Sequence, residues 1–110
     1  MTDKIVVLVT AGSQQEAQKI AEHLVKEKLA ACVNIVNDIE SIFSWQGRVS
    51  KESEVLLVAK SVTGNFEKLV AIVESLHSYD VPEIIALPII AGSSGYLNWV
   101  DQETKPAEGV

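Results

Sequence analysis

The spacing of hydrophobic residues along the chain predicts strands that alternate with helices. Ile5–Thr10 is a nearly continuous β-branched run, typical of a strand buried on both faces. A capping box follows, in which Ser13 accepts from the backbone N–H of Glu16 and the Glu16 carboxylate reaches back. Three-and-four spacing then predicts a first helix that ends near Lys28. Its apolar positions are Ala17, Ile20, Ala21, Leu24 and Val25.

From Leu29 the pattern changes to a period of two, which predicts one long strand reaching Trp45. Asn37–Asp38 interrupts the alternation, so a bend or bulge is expected there. A turn at 46–48 leads into a partner strand that runs to Ser61. This hairpin is longer than such a small domain can cover, so its tip is expected to project. The tip holds Phe43, Trp45, Arg48 and Lys51.

The second half of the chain predicts a helix, a strand and a short closing helix. Thr63 is the expected N-cap of the second helix. Its buried face is Phe66, Leu69, Val70, Val73 and Leu76. The strand 83–90 contains Pro88, which lacks a donor for a ladder bond, so an edge strand or a bulge is predicted. A helix at 96–100 and a polar tail from about 104 to 110 complete the chain.

The order of these elements predicts an α+β fold, the ferredoxin-like split βαβ sandwich with an antiparallel sheet and both main helices on one face. Residues 1–110 are expected to form a single domain. The long hairpin leaves strand edges that need pairing or protection. A homo-oligomer would supply both.

Composition narrows the choice of partners. The chain has 15 acidic and 9 basic residues and a single arginine, Arg48, so it has no basic stripe for nucleic acid. No apolar run approaches the roughly 20 residues of a membrane span. Cys32 is the only cysteine and excludes an internal disulfide or a CxxC motif. The apolar stretch near the N-terminus is interpreted as a strand and not as a signal peptide. A cytoplasmic protein is therefore expected.

The segment His77–Glu83 carries the densest polar chemistry of the chain, and Pro82 should make it a defined turn. His77 fits a C-terminal helix cap, with metal binding as the alternative. Tyr79, Asp80 and Glu83 suggest an acid/base or ligand constellation with Lys60. A structural ion pair at an interface has the same pattern. The third and fourth strands both flank the first, so Lys60 and Glu83 would meet only across a subunit boundary.

The cysteine and the two tryptophans are expected to pack in the core or in an oligomer contact. Cys32 lies in an apolar strand with no cation beside it in that strand, which favours burial over reactivity. Core packing is expected for Trp99 and an oligomer contact for Trp45. Phosphate loops, an HExxH helix and a serine elbow are missing.

Several of these segments together resemble the CutA family of divalent-cation-tolerance proteins. They are Leu29–Ile35, Ser44–Gly47, Glu54 with Lys60, His77–Ile84 and Tyr96–Trp99. The resemblance implies a tight homotrimer similar to PII-type signalling proteins, with hairpin strands paired between subunits. It implies a non-enzymatic binding or signalling protein whose inter-subunit clefts are lined by Trp45, Lys60, Tyr79 and Glu83. Lys60 would bind an anionic group, and Glu83 would hold Lys60 or a cation.

Copper binding in the family uses a cysteine late in the first strand and two adjacent histidines in the central turn. The matching positions here are Val9, Leu76 and His77, so only weak binding of a divalent cation such as copper, through His77, is expected. Two alternatives remain open. One is a small hydrolase or transferase that uses Lys60, Tyr79 and Glu83, and the other is a purely structural trimer scaffold.

Overall fold

The computed structural model describes residues 2–106. Four strands are present: β1 Lys4–Ala11, β2 Cys32–Trp45, β3 Arg48–Val62 and β4 Ile84–Pro88. Three α-helices are present in this range: α1 Gln14–Lys26, α2 Phe66–Leu76 and α3 Ser94–Glu103. A 3₁₀ turn, Thr63–Asn65, precedes α2.

The strands form one antiparallel sheet in the order β2-β3-β1-β4. This arrangement confirms the predicted ferredoxin-like α+β fold. Pro88 ends β4, which pairs only with β1, so the proline lies on an edge strand as predicted. The opposite edge is the outer side of β2.

Both main helices pack on one face of the sheet, as expected. Alternate residues of β1 and β3 point toward them, including Val7, Val9 and Leu57, all fully buried. From the helices, Leu24 and Leu69 enter the same core. Truncating such a side chain typically costs about 2–5 kcal/mol, so this helix-covered face is the main source of the fold's stability.

Helix α1 ends two residues before the predicted Lys28 because the backbone turns there. Lys28 has a φ of 60°. The Leu29 N–H donates to the Leu24 carbonyl at 2.9 Å and the Lys28 N–H to the Val25 carbonyl at 3.1 Å. These two bonds form a Schellman motif, in which a lysine occupies the left-handed position that glycine usually takes.

The hairpin has the predicted bulge and projects as expected. The register of β2 and β3 shifts between Val36 and Ile39, and Asp38 has a φ of 59°. Its turn is tighter than expected, because Arg48 already pairs with Trp45 and only Gln46 and Gly47 form the loop, both with positive φ. Past the pairing of Ala11 with Val55, the hairpin strands pair only with each other, and the molecule extends 49 Å.

Three further elements differ at their ends from the sequence prediction. Thr63 does not cap α2, because it begins the 3₁₀ turn and its N–H donates to the Asp3 carbonyl. The regular strand β4 covers 84–88 instead of 83–90, and α3 covers 94–103 instead of 96–100. For Thr63 and β4 the end of the element depends on backbone partners that are distant in sequence, which a local pattern does not report.

The second face of the sheet is covered by α3 at one end only. Lys4, which points away from the main core, places its Nζ 3.2 Å from Asp101 of α3. The rest of this face, here called the open sheet face, is apolar and carries no helix. Its residues are Val6, Leu8, Val36, Leu56, Val58, Ile85 and Leu87.

Candidate functional site

The imidazole of His77 is fully buried at the end of α2. Its Nε2 lies 2.7 Å from the Thr10 carbonyl, and its Nδ1 accepts from the Tyr79 N–H at 3.0 Å. With Nδ1 accepting from the Tyr79 N–H, Nε2 is the nitrogen that donates to the Thr10 carbonyl. Nδ1 also lies 3.3 Å from Oε1 of Glu16. The His77 N–H also bonds the Val73 carbonyl and closes the helix. A metal at His77 would have to displace one of the two ring bonds.

Glu16 holds the same turn from the side of α1. Its carboxylate accepts from the Ser78 N–H at 2.9 Å and from the Ser78 hydroxyl at 2.8 Å. The predicted capping box is therefore only half formed: Ser13 accepts from the Glu16 N–H, but the Glu16 carboxylate does not return to Ser13. A partner 62 residues away has replaced the local one.

Tyr79 crosses the end of β1 to meet Glu54 of β3. Its hydroxyl donates to Glu54 Oε2 at 2.8 Å, and a Cβ at Gly12 would lie only 3.2 Å from the Tyr79 oxygen. Burial, the hydrogen bond to Glu54 and the nearby carboxylates raise the pKa of Tyr79 to about 12. The phenol is therefore a donor, not a base, near neutral pH. Glu54 itself is only 7% exposed.

Lys60 lies at the other end of β3 in neutral surroundings. Its ammonium donates to the Asn34 side-chain oxygen and is 4.0 Å from the Cys32 sulfur. The sequence interpretation of Cys32 needs correction on two points: the thiol is only partly buried, and a cation does adjoin it, from the neighbouring strand. Cys32 and Lys60 are cross-strand partners, which a correct register would have revealed.

The four predicted cleft residues do not meet within one subunit. Lys60 is six positions along β3 from Glu54, the partner of Tyr79, which corresponds to about 20 Å. Trp45 is at the hairpin tip with 59% exposure, and Glu83 is exposed just before β4. This agrees with the expectation that only a subunit boundary could bring Lys60 and Glu83 together.

The prediction that Trp99 packs in the core is wrong. It is 42% exposed and packs against Tyr96, with ring centroids 5.6 Å apart. The sequence predicted Glu16 only as a helix cap, and it did not predict Asn34 or Tyr96 as site residues. Asn34 had a usable signal, because it shares the strand face of Cys32.

Residues 2–106 contain no group of three or more histidine, cysteine, aspartate or glutamate side chains placed to hold a metal ion. Within this range every helix is too short or too polar to cross a lipid bilayer.

A family model described as CutA1 divalent ion tolerance protein matches residues 5–103. The divalent-cation tolerance protein CutA of Thermus thermophilus is 50% identical over 99 residues, which is 90% of this chain and 96% of that protein. The chloroplastic CutA of Arabidopsis thaliana is 48% identical, covering 92% of this chain but 56% of its own length. The chain thus spans nearly all of the bacterial relative and about half of the plant one.

Solved structures agree with this match. The CutA1 crystal structure from Oryza sativa superposes with a TM-score of 0.91 at 42% identity, covering 94% of this chain and 95% of that chain. The Thermus thermophilus structure gives a TM-score of 0.91 at 49% identity. The match covers 93% of this chain and 99% of that chain. Sequence and fold together place this chain in the CutA family of divalent-ion tolerance proteins.

Proposed function

We propose that this chain forms a homotrimeric, non-enzymatic binding or signalling protein linked to divalent-cation tolerance, with ligand clefts between subunits. The observation that carries the proposal is the open sheet face. Seven apolar side chains lie side by side there, and Val36, Ile85 and Leu87 are 44%, 49% and 50% exposed. Contiguous apolar patches of this kind usually mark an interface.

The strand edges support the same assembly. Within residues 2–106, neither the outer edge of β2 nor the outer edge of β4 pairs with another strand. Unpaired edges beside an apolar face favour pairing with another copy. A closed ring, in which each subunit offers one edge to the next, would pair both edges and cover the open sheet face.

Such a ring would also complete the clefts. Glu54, the partner of Tyr79, and Lys60 lie about 20 Å apart along β3 of one subunit. Neighbouring subunits would therefore each supply one end of β3 to a cleft. Lys60 would bind an anionic group, Glu83 would hold Lys60 or a cation, and Trp45 and Tyr79 would form the walls.

The hydrogen bonds at His77 and Tyr79 favour binding over catalysis. Both ring nitrogens of His77 are occupied, and the Tyr79 phenol is bonded to Glu54. Neither group is free to accept a proton from a nucleophile. The hydrolase or transferase alternative would need Lys60, Tyr79 and Glu83 to meet across subunits. Turnover of phosphate or acyl esters that is lost in Lys60→Ala would favour that alternative.

The exposed hairpin tip favours the scaffold alternative. Ile42, Trp45 and Val49 are 64%, 59% and 82% exposed. A partner protein captured by the wild type but not by tip variants would support it.

Cytoplasmic location is part of the proposal and rests on the acidic composition and the single cysteine. The names of some relatives give other cellular locations. The Arabidopsis thaliana protein is called chloroplastic, and the structure from Archaeoglobus fulgidus is called periplasmic.

The mass of the purified protein tests the assembly. Light scattering at micromolar concentration should give three times the 11.9 kDa of one chain. A mass of one chain under these conditions would overturn the homotrimer.

We further propose that His77 binds a divalent cation such as copper, weakly. Titration calorimetry with Cu(II) should show low affinity, because the ion must displace a ring hydrogen bond and finds a single imidazole. His77→Gln should remove this binding, while His23→Gln on α1 should leave it intact. Submicromolar affinity that survives His77→Gln would contradict the proposal.

A further inference from the structure

The ammonium of Lys60 forms no ion pair with a carboxylate of residues 2–106. It is half-buried, donates to an amide oxygen and lies beside a thiol. Lys4, also partly buried, contacts two carboxylates. In a chain with 15 acidic residues, a half-buried cation surrounded by neutral groups is a favourable place for an external anion.

Helix α3 packs against β3 and brings two aromatic rings to this end of the sheet. Tyr96 neighbours the Cys32 thiol, and Cys32 is the cross-strand partner of Lys60. Trp99 packs against Tyr96 in a tilted arrangement, with an interplanar angle of 40°. Both rings remain about two-fifths exposed, 41% and 42%. They therefore offer an aromatic surface that the subunit's own core does not use.

The Tyr96 hydroxyl adds a hydrogen-bond donor. Burial, and then the adjacent Cys32 thiol, raise the pKa of Tyr96. The phenol stays protonated at neutral pH and can donate to an anion. The group of Lys60, Asn34, Cys32, Tyr96 and Trp99 thus combines a positive charge and a donor with two partly exposed aromatic rings.

We propose that this group binds a small molecule in which a planar aromatic ring carries one anionic substituent, a carboxylate or a phosphate. The substituent lies against the Lys60 ammonium, and the ring lies against Tyr96 and Trp99. The inference rests on the anion-binding role proposed above for Lys60 and adds the class of ligand and the contribution of α3.

Simpler ligands fit this group less well. A divalent cation at the Cys32 thiol would be repelled by the ammonium 4.0 Å away. A bare anion would satisfy Lys60 but leave both rings exposed to water. An aromatic ring without charge would contact the two rings but add no interaction with the ammonium. Only a ligand with both parts contacts the Lys60 ammonium and both aromatic rings.

Nuclear magnetic resonance titration of the wild-type protein tests the proposal. The chain has two tryptophans, so the indole N–H signals of Trp99 and Trp45 are assigned with a Trp99→Phe sample. Benzoate and phenyl phosphate should shift the Trp99 signal saturably. Acetate, inorganic phosphate and benzyl alcohol should each bind at least about tenfold more weakly, because each lacks one of the two interactions.

Variants separate the charge at Lys60 from charge in general. Lys60→Met should weaken binding of both aromatic anions by at least about tenfold, and Lys60→Arg should restore most of it. Lys51→Met is the matched control, because it removes a lysine from the same strand at the exposed tip. It should leave the affinity unchanged.

Several results would overturn the proposal. Inorganic phosphate binding as tightly as phenyl phosphate would show an anion site without aromatic selectivity. An unmoved Trp99 signal, or equal losses in Lys60→Met and Lys51→Met, would exclude the site. Light scattering on the same samples separates the two proposals: a trimer that binds neither probe contradicts the ligand class alone. A monomer that binds both contradicts the assembly alone, and a monomer that binds neither contradicts both.

Discussion

Replacing Ile85 with aspartate is expected to split the proposed homotrimer into folded monomers. Ile85 lies on the open sheet face next to Leu8, and about half of it is exposed in the single chain. In a free subunit the new carboxylate stays in water and costs little. Assembly would bury one unpaired carboxylate per subunit, at several kcal/mol each. Light scattering should return a mass near 11.9 kDa.

The control for this experiment lies on the opposite side of the molecule. Ala71→Asp adds the same charge to the exposed surface of α2 and should leave the mass unchanged. Circular dichroism establishes that the Ile85→Asp monomer is folded, and Leu87→Asp provides a second variant on the same face. Native spectra with an undiminished mass in both would show that this face is not the interface.

Replacing His77 with alanine is expected to lower the free energy of unfolding by about 2–4 kcal/mol. The imidazole is fully buried and bonded at both nitrogens. Its removal opens a cavity and leaves the Thr10 carbonyl and the Tyr79 N–H without partners. Urea unfolding followed by circular dichroism measures the loss.

Amide substitutions separate the two hydrogen bonds of His77. His77→Gln can still present an N–H to Thr10, and His77→Asn can still present an oxygen to the Tyr79 N–H, so each should recover part of the loss. His23→Ala on α1 is the matched control and should cost within about 0.5 kcal/mol. A His77→Ala protein as stable as His23→Ala would mean that the turn is held without the imidazole.

Much of the fold follows from local pattern. The order of the elements, the bulge at Asn37–Asp38 and the edge position of Pro88 were all predictable, because periodicity, turn residues and proline act within a few positions. The Schellman end of α1 at Lys28 was not. A lysine with positive φ is an exception to the residue preference on which such predictions rely.

The site depends on contacts that no local pattern contains. Glu16 has the correct spacing for a capping box, yet its carboxylate bonds Ser78 in a turn that folding brings beside α1. Cys32 seemed to lack a cationic neighbour because Lys60 is 28 residues away and becomes its partner only through the register of β2 and β3. Trp99 was assigned to the core from its size, although Val100 is the residue of α3 that is fully buried.

The projecting hairpin has a consequence for how the protein folds. Its pairs are local and begin at a two-residue loop, so it can form early, on the microsecond timescale of hairpins. Between Val55 and its tip, however, the hairpin is a ribbon of two strands with no third strand beside it. Such ribbons are marginally stable in water. If its final stability comes from neighbouring copies, the protection of its amides against hydrogen exchange must rise with protein concentration, while that of β1 need not.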